Sequence, residues 1–178
     1  RATALREGGE NASYSREFAF SKSTGRPAVL NTKPNDSYTF EGASLLVDGY
    51  HSRPVFTSGA WLGYLDEPLD VTIDMGGEQS YRSVELETLA EKGDWIFPPS
   101  SVTVWVSDNG TDFTEVASVA VPEAKAGDAD GIGRYRMQFP ETSARYLKVV
   151  AQNAAAIPAW HPGAGSKGFL FVDEVVVE

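Results

Sequence analysis

From Gly25 onward, apolar and polar residues alternate with a period of two, and the alternating stretches are separated by turn-forming residues. Leu69-Asp70-Val71-Thr72-Ile73-Asp74-Met75 alternates strictly and runs into Gly76-Gly77. Residues 81–88 place Val84, Leu86 and Thr88 on one face, because side chains two apart share a face of a strand. Val102-Thr103-Val104-Trp105-Val106-Ser107 ends at Asp108-Asn109-Gly110, a turn signal, and Phe113, Val116 and Val119 mark a short return strand. Tyr135, Met137 and Phe139 alternate again, Tyr146-Leu147-Lys148-Val149-Val150-Ala151 reads as a further strand, and residues 169–177 close the chain. No stretch combines helical apolar spacing with helix caps. Residues 123–130 are rich in alanine, but Gly127 and the acids Glu123, Asp128 and Asp130 make them a loop. The pattern predicts an all-β chain of seven or eight strands, an antiparallel sandwich or jelly roll. Residues 1–23 lack it: Glu7-Gly8-Gly9-Glu10-Asn11 is polar and turn-rich. They are expected to be a linker or a remnant of a preceding domain, with the sandwich spanning residues 24–178.

Composition narrows the partners. With 178 residues and 42% hydrophobic content, the chain can bury a substantial core. Fifteen Lys and Arg against 25 Asp and Glu give a net charge of −10, which opposes nucleic acid and anionic membrane surfaces as partners. Cysteine is absent, which removes disulfides, thiolate chemistry and Cys-based zinc sites. No apolar run is long enough to insert into a membrane. The chain starts at Arg1 with no signal-peptide pattern, as expected of a piece of a larger protein.

Loop aromatics are the first candidate chemistry. Sugars present C–H faces that stack on indole rings, while polar groups read their hydroxyls. Trp95, Trp160 and His161 lie in segments flanked by Pro and Gly, and are candidates for ligand contact. Trp105 lies within a strand and Trp61 just before one. The alternative is that these rings plug the ends of the sandwich. His51 and His161 lack zinc-ligand spacing, no serine sits in a Gly-x-Ser-x-Gly context, and Gly163-Ala164-Gly165-Ser166 lacks the strand-to-helix setting of a phosphate loop.

Several strings occur in a telling order. They are Leu45-Leu46-Val47-Asp48-Gly49, Trp61-Leu62-Gly63-Tyr64, Val71-Thr72-Ile73-Asp74-Met75-Gly76, Asp108-Asn109-Gly110-Thr111-Asp112-Phe113, Ala144-Arg145-Tyr146-Leu147-Lys148-Val149 and Phe171-Val172-Asp173-Glu174-Val175-Val176-Val177. This set, over residues 21–178, resembles the coagulation factor 5/8 C-terminal or discoidin domain and its bacterial relatives, the family 32 carbohydrate-binding modules. Trp95-Ile96-Phe97-Pro98-Pro99 and Trp160-His161-Pro162-Gly163-Ala164-Gly165 are similar to the domain appended to bacterial β-N-acetylhexosaminidases, the chitobiases. The resemblance implies an eight-stranded, galactose-binding-domain-like jelly roll. It also implies that His51, Arg53 and Asn153 supply polar contacts to a sugar, although Tyr50 stands where Asn is common. It implies further a structural calcium ion held by Asp48 and Glu174, with backbone carbonyls after Gly49 completing the shell. The alternatives are that Asp48 caps a turn and Glu174 pairs with a base.

Asp173-Glu174 is similar to the catalytic Asp-Glu pair of family 20 hexosaminidases. Adjacent strand residues are expected to point to opposite faces and so not to share a substrate. The barrel of that family needs about 250 residues, more than this chain has. The chain is therefore expected to be a non-catalytic module that binds N-acetylglucosamine- or galactose-containing glycans, attached to the catalytic domain of a glycan-degrading enzyme that is periplasmic, cell-surface or secreted. Two alternatives remain: an architectural domain that packs on the catalytic domain without touching sugar, and an adhesion domain.

Overall fold

The computed structural model describes residues 18–178, together with the backbone pairing of two short strands, β1 (Ala2–Ala4) and β2 (Ala12–Tyr14). The other residues of the expected 1–23 linker lie outside the described residues. Within that stretch, Phe18 bridges to Tyr50, the Ala19 amide donates to the Gly49 carbonyl, and Lys22 donates its amide to Val177. Ser23 is fully buried. Residues 18–23 thus belong to the sandwich, and the expected boundary at residue 24 falls just inside it.

Seven strands form one continuous antiparallel hydrogen-bonded sheet: β3 (Ala28–Leu30), β4 (Leu62–Tyr64), β5 (Leu69–Ala90), β6 (Ser101–Ser107), β7 (Thr114–Ala120), β8 (Gly131–Gln152) and β9 (Leu170–Val177). The order is β4-β9-β5-β8-β6-β7, with β3 on the free side of the first half of β5. β5 and β8 are each 22 residues long and pair with one another along their whole length. β6 pairs only with the second half of β8, and β9 only with the second half of β5. The halves of the long strands therefore belong to two layers, and the sheet folds over on itself into a sandwich.

Gly76-Gly77 was expected to end a strand. Instead it and Pro140 of β8 lie at corners where β5 and β8 cross from one layer to the other, beside register shifts between Asp74 and Gln79 and between Tyr81 and Ser83. Gly76 adopts φ +79, a left-handed conformation that residues with a Cβ rarely take, so the bend favours glycine. The main core lies between the layers. Leu69, Val71, Ile73 and Met75 face Val84, Leu86, Val172 and Val175 across it, and Leu45, Leu46 and Val47 close it from a 3-10 turn (Gly42–Val47). A second cluster, Trp61, Leu89, Ile96 and Phe171, sits apart from the main core with Tyr38, Phe56, Ile132 and Phe169 packed against it. No described helix is long and apolar enough to cross a membrane.

Candidate functional site

The loops at the end where β8 stops and β9 starts carry four of the expected ligand residues, Trp95, Asn153, Trp160 and His161. Residues 91–100 leave β5 through a 3-10 turn (Lys92–Asp94), and Trp95 ends that turn in the left-handed region at φ 65. A bulky side chain there costs about 1 kcal/mol or more. Backbone bonds on both sides hold it: the Trp95 amide donates to the Lys92 carbonyl at 3.0 Å, and Phe169 donates its amide to the Trp95 carbonyl at 2.8 Å. A Cβ on Gly163 would approach the Trp95 six-membered ring at 2.8 Å, so glycine lets that loop close against the indole.

His161 is buried and fixes the arrangement. Its Nδ1 accepts from the Gly163 amide at 3.0 Å, so the ring proton sits on Nε2, which donates to the Lys92 carbonyl at 2.9 Å. Three rings stand edge-on to the imidazole: Trp95 at 6.0 Å, Trp160 at 5.6 Å and Phe97 at 5.5 Å between centroids. The Trp160 Nε1 donates to the Ala124 carbonyl at 2.9 Å. The buried Lys92 ammonium reaches the Asp128 carbonyl at 2.9 Å and pairs with the Asp130 carboxylate. The 121–130 loop is thereby tied to the same assembly. Trp95 and Trp160 nevertheless remain 42% and 40% exposed. His161 was expected to touch ligand; with both nitrogens engaged by backbone and the ring buried, it positions the two indoles instead.

Beside Trp160 lies a groove of about 390 Å³, bounded by residues 97–100, 121–124 and 154–159. Asn153 adjoins it, but its side-chain amide donates to the Tyr64 and Leu65 carbonyls at 3.1 and 3.3 Å and joins β4 to the end of β8. Asn153 is thus a strut with its donors turned away from the aromatic rings.

His51 and Arg53 lie elsewhere. They belong to the loop between Asp48 and Trp61, which crosses β9. The Trp61 Nε1 donates to the Arg53 carbonyl at 3.0 Å, while the Arg53 side chain is exposed. Among the described residues no ring contact or hydrogen bond joins His51 or Arg53 to Trp95, Trp160 or His161.

Beneath this loop the structure overturns one expectation. Asp173 and Glu174 do not point to opposite faces. Leu86 pairs with Val175 but Thr88 pairs with Val172, so β9 carries an extra residue opposite Glu87. The same loop meets both acids: Gly49 donates its amide to Glu174 at 3.2 Å, and Ser52 its amide to Asp173 at 2.7 Å. Both carboxyls therefore lie on one side of the sheet, with buried Glu87 beside them. Glu87 pairs with the Arg134 guanidinium, and the His51 Nδ1 stands 2.8 Å from its other oxygen, off-axis for a hydrogen bond. Burial pushes Asp173 and Glu174 well above the usual carboxylate range. Glu87 and Asp48 add to the shift of Asp173, and Asp48 and Asp173 to that of Glu174. A catalytic pair must reach substrate across a cleft; these acids are 1% and 0% exposed and cannot.

The donor set fits a hard cation. Glu174 Oε1 is buried with no protein partner, and the charge of Asp48 is close enough to raise the Glu174 pKa. Calcium draws much of its shell from backbone carbonyls, so two carboxylates suffice. No described cluster of three or more acidic or histidine side chains offers an all-side-chain metal site. Asp48 Oδ1 also accepts from the Tyr50 amide at 2.7 Å, an Asx-type turn that shapes the loop.

Comparison with known proteins agrees with the fold. Residues 30–167 match the family model of the F5/8 type C domain. No curated protein matches the chain in sequence. Among solved structures, CpGH89CBM32-5 of Clostridium perfringens, in complex with GalNAc-β-1,3-galactose, is similar with a TM-score of 0.56 and 17% identity, over 85% of this chain and 93% of that one. Chitosan-binding module 1 of a chitosanase/glucanase from Paenibacillus sp. IK-5 has a TM-score of 0.56 and 17% identity, over 89% of this chain and 98% of that one. A fucose binding module of Streptococcus pneumoniae has a TM-score of 0.54 and 22% identity, over 89% and 94%. At these identities the likeness shows a shared fold.

Proposed function

The chain belongs to the F5/8 type C domain family, and from that premise we propose that it is a non-catalytic carbohydrate-binding module. The observation that carries this reading is the pair Trp95 and Trp160, two indoles about two-fifths exposed on end loops whose orientation is fixed by a buried, fully hydrogen-bonded histidine. An exposed ring that is also rigid gives a sugar a stacking surface without the entropy of ordering it. In this reading a pyranose lays its C–H face on an indole and its hydroxyls reach the backbone of residues 121–124 and 154–159. Structures of the same fold with GalNAc-β-1,3-galactose and chitotriose support a glycan as ligand. We infer N-acetylglucosamine- or galactose-containing glycans as its targets. Its setting is a periplasmic, cell-surface or secreted glycan-degrading enzyme of the chitobiase type, whose catalytic domain it holds near substrate. A calcium ion between Asp48 and Glu174 belongs to the same reading: when bound, it supplies positive charge to buried carboxylates and takes no part in sugar chemistry.

A shallow site of this kind gives dissociation constants on the order of millimolar to high micromolar. Calorimetric or NMR titration with a glycan panel, on wild type and Trp160→Ala, is the test. Binding that falls about tenfold or more in the variant supports the reading. A panel that produces no heat and no shift in the wild type refutes it and favours an architectural domain whose indoles contact a neighbouring domain.

A further inference from the structure

We propose that the groove beside Trp160 is a subsite for the acyl group of an N-acylated amino sugar, an inference that rests on the carbohydrate-binding reading above. The groove is continuous with the stacking surface. Phe97 lines it and packs its ring on Trp160 at 6.3 Å, and Ala124, whose carbonyl holds the Trp160 indole, lines the opposite wall. A sugar stacked on Trp160 therefore carries its ring substituents over the groove.

Its chemistry is asymmetric. Pro98, Pro99, Pro122 and Pro158 line it and have no amide hydrogen to offer. Phe97 and Ile157 add apolar surface. Several of its polar groups are already used: the Ser100 Oγ donates to the Asn153 carbonyl at 2.9 Å, the Val121 amide to the Ser100 carbonyl at 2.9 Å, and the Ile157 amide to the Ser166 carbonyl at 2.8 Å. Ala154, Ala155 and Ala156 differ. Their backbone amides have no acceptor among the described residues, and their methyl side chains allow close approach. Ala154, Ala155 and Ala156 thus bring uncommitted N–H donors to a groove otherwise lined largely by apolar side chains.

An acetamido group matches both halves, since its carbonyl accepts from an amide and its methyl fills apolar space. A plain hydroxyl fills none of that space. A uronic carboxylate would face the single charged lining residue, Glu123, with no basic residue to pair it. A free ammonium would have the Glu123 carboxylate as its one charged partner and would leave the apolar half of the groove unfilled.

The test is titration of the full chain with the methyl β-glycosides of N-acetylglucosamine, glucose, glucosamine and glucuronic acid, and with those of N-acetylgalactosamine and galactose. Wild type and the variants Ala155→Leu and Glu123→Gln are compared. The N-acetylated member of each pair is expected to bind about tenfold tighter than its hydroxyl counterpart. Ala155→Leu, which fills the groove from an exposed position, is expected to abolish that preference with the melting temperature unchanged. Glu123→Gln is expected to leave it intact. Equal binding within each pair, a preference that survives Ala155→Leu, or tightest binding of glucosamine with loss on Glu123→Gln would overturn the subsite and leave the carbohydrate reading standing. No binding of any glycoside would overturn both.

Discussion

The loop over the β9 bulge and the loops at the aromatic end each contain a histidine and a tryptophan, and they use them in opposite ways. In the first, Trp61 is wholly buried, its indole N–H is given to the Arg53 carbonyl, and His51 faces a buried carboxylate. Polar groups of that loop turn inward, onto Glu174 and Asp173. In the second, His161 is buried so that two indoles can stay out, and the polar groups of the loop bond to one another. The difference separates a region that is held from a region that is presented. Trp95 makes the point most strongly, because it keeps a bulky, partly exposed ring in a left-handed conformation that costs stability.

The comparison breaks most readily at the tryptophans. Trp61→Ala removes a fully buried indole from the second cluster, and is expected to cost about 4 kcal/mol. Trp160→Ala removes a ring that is two-fifths exposed, and is expected to change stability by less than about 1 kcal/mol. Urea denaturation of both variants measures the contrast. Similar losses in the two would mean that Trp160 plugs the sandwich as Trp61 does.

Much of this division was legible in the residue pattern, and the missing part has a physical cause. Pro and Gly around Trp95 and Trp160 mark loops, and the structure places both rings on loops and partly exposed. His161 was read by its type, whereas its role depends on two backbone partners, Lys92 and Gly163, that only the folded loops supply. The bulge at Asp173 and Glu174 was hidden because both faces of β9 are buried. Phe171, Asp173 and Val175 look like one face of a regular strand, yet Phe171 belongs to the outer cluster and Val175 to the inner core. The available signal was the pair of adjacent acids in an otherwise apolar strand, which a regular strand could not satisfy on both faces. Glu87 gives no signal in the sequence, because its partner Arg134 lies opposite it only once β5 and β8 are in register. Gly76-Gly77 marked a bend correctly but not its kind, since a corner between layers and a hairpin turn use the same residues.

Calcium tests whether the held region is held by protein alone. Buried carboxylates without a cation carry a desolvation cost, and an ion that binds only the folded state adds stability by mass action. At about one hundred times its dissociation constant, calcium is expected to stabilise the chain by about 2.7 kcal/mol. For a domain of this size that is a rise of roughly 5 to 10 °C in melting temperature. Glu174→Gln is expected to remove the rise, and Trp95→Gly to leave it unchanged. A wild-type melting temperature that is the same in calcium and in chelator would dispense with the ion and leave the cluster to protein partners such as Arg134, the Ser52 hydroxyl and the loop amides.

The smallest expected change in stability sharpens the presented region. Trp95→Gly places glycine in the one conformation of that loop that favours it, relieving about 1 kcal/mol or more of backbone strain. It also removes ring contacts with His161 and Gly163, which for a ring 42% exposed are modest. The two effects oppose, so denaturation is expected to show a net change within about 1 kcal/mol. Glycan affinity is expected to fall about tenfold, because the stacking surface is gone while the loop that carried it keeps its path. A destabilisation of several kcal/mol would place Trp95 with Trp61 among the buried supports. An unchanged fold with unchanged glycan binding would leave Trp160 and the groove to bind sugar alone, and the strained Trp95 would then need a partner other than the glycan.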